Sequence, residues 1–84
     1  MSSLCNNSKV LGAIIRQYRQ QSNLSQAKLA ELMNLRQATI SSVENGSEKT
    51  HLKTIFDILS SLDLELHILP KVDQGFDQIE ELFE

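Results

Sequence analysis

Ser25-Gln26-Ala27-Lys28-Leu29-Ala30-Glu31-Leu32-Met33-Asn34-Leu35-Arg36-Gln37-Ala38-Thr39-Ile40-Ser41-Ser42-Val43-Glu44-Asn45-Gly46 holds two short helical patterns separated by a turn. In the first pattern Leu29, Ala30 and Met33 share one apolar stripe at helical spacing. Ser25 is placed to cap its start, because a serine hydroxyl accepts from an orphan N–H one turn further on. Asn34 stands where the chain must reverse, and after glycine asparagine is the residue most at ease in the left-handed conformation. The second pattern runs from Gln37 to Glu44 and stops at Asn45-Gly46, a C-terminal stop signal.

The outer face of this second helix carries the functional argument. Ile40 and Val43 turn inward, leaving Gln37, Ala38, Ser41 and Ser42 outside, with Arg36 just before the helix. The bland reading is a solvated helix face. A DNA major groove, however, suits this mixture: glutamine bonds adenine N6 and N7 together, the alanine methyl meets thymine, and hydroxyls donate or accept. Two helices, a turn and such a face are the grammar of a helix-turn-helix DNA reader. Lys49, in the loop of residues 46–49, is placed for the sugar-phosphate backbone, an ordinary surface lysine being the alternative.

Ser25-Gln26-Ala27, Leu29-Ala30-Glu31, Gln37-Ala38-Thr39-Ile40-Ser41 and Glu44-Asn45-Gly46 together resemble the Cro/C1-type repressor helix-turn-helix, over residues 9–62. The resemblance implies that Gln26 clamps a phosphate and that Gln37, Ala38 and Ser42 read bases. With their neighbours, the expected base-reading set is Arg36, Gln37, Ala38, Ser41 and Ser42. The expected phosphate set is Ser25, Gln26, Thr39, Asn45 and Lys49. Two departures stand out: Asn34 replaces the family's usual glycine, and Ala38 stands where phage repressors often carry a second glutamine, which leaves the base sequence open.

With 84 residues the chain is one small domain with one modest core and no cleft between domains. It has no apolar run of bilayer length and no signal-peptide pattern at its start, so the expected location is the cytoplasm. Cys5 is a single cysteine in a polar arm, which excludes a disulfide framework and a cysteine metal cluster. A net charge of −3 looks wrong for a DNA binder until it is divided along the chain. Residues 1–62 carry seven basic and four acidic side chains, whereas residues 63–84 carry Lys71 against seven acids. Attraction to phosphates depends on charge within about 8 Å of the duplex, so the basic part governs it.

The scaffold flanks the reader on both sides. Ser8 is expected to cap a first helix in which Val10, Leu11, Ile14, Ile15 and Tyr18 form the apolar face, with Arg16 and Arg19 off it. A last helix starts at Thr50 or a neighbour and presents Leu52, Ile55, Phe56, Leu59 and Leu62. From Leu64 to Leu69 the period changes to two, Leu64, Leu66 and Ile68 alternating with Glu65 and His67. That reads as a strand, a frayed extension of the last helix being the alternative. A lone strand leaves its backbone groups unpaired, and pairing with the same strand of a second copy solves this. A homodimer also sets two reading helices about 34–36 Å apart, one turn of a palindrome.

Four helices followed by a short strand beginning at Leu62-Asp63-Leu64-Glu65-Leu66 resemble the HipB-type antitoxins in particular. The resemblance implies paired terminal strands, operator DNA, and a HipA-like serine/threonine kinase toxin as partners. The expected organisation is a flexible arm (1–8), a mainly α, Cro/C1 repressor-like DNA-binding bundle (9–62), a dimerisation strand (63–70) built on Leu64, Leu66 and Ile68, and an acidic, disordered tail (71–84). In the tail Phe76, Ile79, Leu82 and Phe83 lie at helical spacing, which suits either an inert end or a segment that orders on the toxin. His51 and His67 lack partners at metal spacing, no serine has a His-Asp companion set, and no glycine-rich phosphate loop occurs, so no metal, cofactor or enzyme activity is expected. The resulting reading is a dimeric repressor and antitoxin that silences its own operon. Its alternatives are a stand-alone phage-like or metabolic regulator, and a protein-binding module that leaves DNA alone.

Overall fold

Leu29, Ile40, Ile15 and Ile58 come from four different helices and are fully buried against one another. The helices are α1 (Ser8–Gln21), α2 (Gln26–Met33), α3 (Gln37–Glu44) and α4 (Leu52–Ser61), in a computed structural model that describes residues 4–71. Each buried aliphatic side chain contributes about 1.5–3 kcal/mol relative to exposure. Ala30, Val43, Leu59 and Leu62 complete the core, and Leu11, Tyr18, Met33 and Ile55 pack on its margin. The turn between α2 and α3 sets them against each other, and α1 lies across α3.

That crossing depends on Gly12. A Cβ there would collide with the carbonyl oxygen of Val43 and lie 2.7 Å from that of Glu44, so only glycine lets the two backbones meet. Just beyond the same end of α3, Gly46 has φ +87° and sits directly on Lys9, where a Cβ would lie 2.8 Å from the Lys9 Cα.

All four helices stop in the same way. Asn23, Asn34, Gly46 and Asp63 take left-handed conformations just beyond α1, α2, α3 and α4. The residue after each one donates its N–H five positions back: Leu24 to Arg19 (3.2 Å), Leu35 to Ala30 (2.8 Å), Ser47 to Ser42 (3.0 Å) and Leu64 to Leu59 (2.8 Å). This is the Schellman stop, which satisfies carbonyls the helix end would otherwise orphan. Three of the four following residues are leucines, and Leu24, Leu35 and Leu64 all pack against the core. Ser25 starts α2 as expected, its Oγ accepting from Lys28 N–H at 3.0 Å.

Two expectations are corrected. Asn7, not Ser8, caps α1: its Oδ1 accepts from Val10 N–H at 2.8 Å, and Ser8 is the first helical residue. An asparagine carbonyl reaches the third helical N–H as well as a serine hydroxyl does, so one residue of shift separates the two. Arg19 does not lie off the apolar face but is buried. Residues 64–70 show neither helix nor strand ladder in the isolated chain. Leu64 joins its own core, whereas Leu66 (46% exposed) and Ile68 (90% exposed) do not. Expectations for the tail, including Phe76, Ile79, Leu82 and Phe83, fall on residues outside those described. No described helix is long and apolar enough to cross a membrane.

Candidate nucleic-acid interface

Ile40 and Val43 anchor α3 in the core, which turns the opposite side of the helix outward. Gln37, Ala38 and Ser42 are exposed and Ser41 is half-buried, so positions spaced one turn apart form one polar stripe. Arg36 is the N-cap residue, with extended backbone, no side-chain cap bond and an exposed side chain. No acid occupies the first turn of α3, so no side-chain charge there offsets its positive dipole end. Among the described residues, nothing ties down this stripe except at Ser41, whose Oγ accepts from Asn45 Nδ2 at 3.4 Å.

The residues expected to hold phosphates sit around that stripe in different states. Ser25 is exposed; its oxygen is used by the cap of α2, while its O–H remains a donor. Thr39 is half-buried in the first turn of α3, Asn45 is exposed at its end, and Lys49 is exposed in the following loop. Among the described residues Arg36 and Lys49 enter no ion pair. Gln26 is half-buried, and its Nε2 donates to Glu44 Oε1 at 3.1 Å.

Beneath the surface lies a cluster the sequence reading missed. Arg19 Nε donates to Glu44 Oε2 at 2.6 Å and its Nη2 to Glu44 Oε1 at 3.0 Å, a two-pronged pair with side chains 9% and 2% exposed. Arg19 Nη1 also donates to the Leu24 carbonyl at 2.7 Å, fastening the turn before α2. The hydrogen bond to Glu44 and its negative charge hold the Arg19 pKa above its already high ordinary value, against the opposing effect of burial. The signal was present in the pattern. Gly12, Ile15 and Arg19 lie on one buried stripe and Ile40, Val43 and Glu44 on another, so each stripe ends in one charge of opposite sign.

The two short helices packed across a turn within a four-helix bundle define a helix-turn-helix class of protein. The chain matches the helix-turn-helix family over residues 15–69 and belongs to it. It is 46% identical over 48 residues to antitoxin HipB of Escherichia coli O6:H1, covering 57% of this chain. That match spans about half of the antitoxin, 51% of its length. The ImmF control region 10 kDa protein of Bacillus phage phi105 is 31% identical over 61 residues, covering 73% of this chain and 68% of that protein. A chain of the solved HipA-HipB-O2-O3 complex superposes with a TM-score of 0.76 at 33% identity, covering 83% of this chain and 99% of that one.

Proposed function

We propose that this chain is a sequence-specific, dimeric DNA-binding repressor and the antitoxin of a type II toxin–antitoxin pair, acting in the cytoplasm on its own operon. The observation that carries the DNA reading is the untied polar stripe of α3, Arg36-Gln37-Ala38 with Ser41 and Ser42, displayed beside a dipole end that favours anions. In this reading Arg36, Gln37, Ala38, Ser41 and Ser42 meet base edges, and Ser25, Gln26, Thr39, Asn45 and Lys49 meet phosphates. Similarity to HipB, and to a chain solved in a complex with HipA, supports a HipA-like serine/threonine kinase as the toxin partner.

Two copies pair through residues 63–70, and their reading helices then address a palindromic operator. The support is a segment outside any helix that keeps Leu66 and Ile68 exposed, while Leu52 and Phe56 of α4 are exposed too. Glu65 and His67, two apart, meet at 2.8 Å on one side of the segment, as alternation along a strand requires. Residues 1–7, ahead of α1, serve as an arm and 71–84 as an acidic tail whose Phe76, Ile79, Leu82 and Phe83 contact the toxin.

The deciding experiment titrates the full chain with a duplex from immediately upstream of its own reading frame, and with a scrambled duplex. Gln37→Ala is expected to cost about 1–3 kcal/mol on the upstream duplex and to relax base preference there. Binding that ignores both sequence and salt would eliminate the DNA reading. The likeness to a phage control protein favours a second reading, a regulator without a toxin. Failure of any kinase-like protein from a neighbouring reading frame to co-purify would select it.

A further inference from the structure

Glu44 is committed on both carboxylate oxygens inside the protein, yet one of them also holds Gln26, a side chain at the surface. We infer that Glu44, locked by Arg19, is a positioning residue for DNA binding: it fixes the Gln26 amide so that its remaining N–H is presented to a phosphate. This rests on the reading above, in which Gln26 holds the duplex backbone.

The argument is one of donor and acceptor inventory. An ionised carboxylate only accepts, so of the two ends of the Gln26 amide only Nε2 can face Glu44. That choice removes the rotation by which a free glutamine presents either its oxygen or its nitrogen. The nitrogen keeps a second proton, a donor suited to a phosphate oxygen. Glu44 cannot follow the amide if it swings, because Arg19 grips it at 2.6 and 3.0 Å. Arg19 in turn holds the Leu24 carbonyl, one residue before the Ser25 cap and two before Gln26 itself. A single buried carboxylate at the end of α3 therefore registers the reading helix against the phosphate contact at the start of α2.

The test is a double-mutant cycle in the full chain, Gln26→Ala with Glu44→Gln, read as affinity for the upstream duplex and for the scrambled duplex. Each single change is expected to weaken both duplexes by the same factor, about five- to tenfold, with base preference unchanged. The double variant is expected to be no weaker than Gln26→Ala alone. Penalties that multiply, or a Glu44→Gln chain that melts lower but binds DNA as before, would overturn the inference and leave the DNA reading standing. If Gln26→Ala binds as well as the parent, the phosphate role of Gln26 fails and the inference with it. If the parent binds neither duplex, the DNA reading itself fails and takes the inference with it. Should Glu44→Gln not fold, the unaltered chain still decides by NMR before DNA is added. One Gln26 side-chain amide proton shifted downfield and slow to exchange is the expected result, and two ordinary, fast-exchanging protons would refute it.

Discussion

Arg19 and Glu44 form a buried pair whose geometry leaves little to water: two parallel hydrogen bonds between them, and further bonds to Leu24 and Gln26. Removing one partner strands the other charge in the core. Glu44→Ala is therefore expected to cost about 3–5 kcal/mol in chemical denaturation, whereas replacing both partners by apolar side chains costs much less. The pH dependence follows from the direction of the arginine shift. A cation whose pKa is raised by folding contributes its stability fully below the unfolded value and loses it only as pH climbs through the folded one. Both values lie at the strongly alkaline end. The stability difference between the parent and Arg19→Met should accordingly stay constant from about pH 7 to about pH 10, and a difference that shrinks over that window would contradict the assignment. Sequence reading misplaced Arg19 because charge outweighed period. Its position on the stripe with Gly12 and Ile15 was readable, but nothing local announces that a partner 25 residues away will neutralise it.

At the scale of elements, the helix stops explain why so short a chain needs so few connecting residues. Each left-handed residue ends one helix, those after α1, α2 and α3 also turn the chain toward the next, and Leu24, Leu35 and Leu64 pin their turns to the core. Asn34 at φ 57° is the hinge between the two helices of the reader. Asn34→Ala should lower stability by about 1–2 kcal/mol, and Asn34→Gly should match or exceed the parent, as thermal melts would show. The stops at Asn34 and at Asn45-Gly46 were legible in the sequence, since asparagine and glycine after an apolar stripe leave few other readings. Asn23 and Asp63 do the same work without having been picked out, because aspartate and a second asparagine are equally common in ordinary loops. Residues 64–70 show the opposite limit: alternation predicts an extended segment, but a ladder requires a partner strand. Ile68→Asp tests that pairing, because Ile68 is 90% exposed and contributes nothing to its own core. Sedimentation should show a weakened dimer, while the melt of the monomer moves by no more than about 0.5 kcal/mol.

For the whole molecule the governing fact is where the charge lies, not its sum. The chain is negative by three, yet the acids are concentrated after residue 62 and the basic side chains before it. In the proposed reading a duplex approaching the α3 stripe meets Arg36 and Lys49, neither of them neutralised by an ion pair among the described residues. If the acidic tail competes with phosphate for those cations, the effect is strongest when salt is low. Removing residues 76–84 deletes Asp77, Glu80, Glu81 and Glu84 together with Phe76, Ile79, Leu82 and Phe83. Two separable results are expected from that one truncation. Affinity for the scrambled duplex should rise at low ionic strength, and the gain should fade by about 0.15 M salt, where charges more than about 8 Å apart are screened. Affinity for the kinase toxin should fall at every salt concentration, because an apolar anchor is insensitive to screening. A loss of toxin binding that vanished in high salt would assign the tail an electrostatic role alone. Unchanged toxin binding would confine contact with the toxin to the helical bundle.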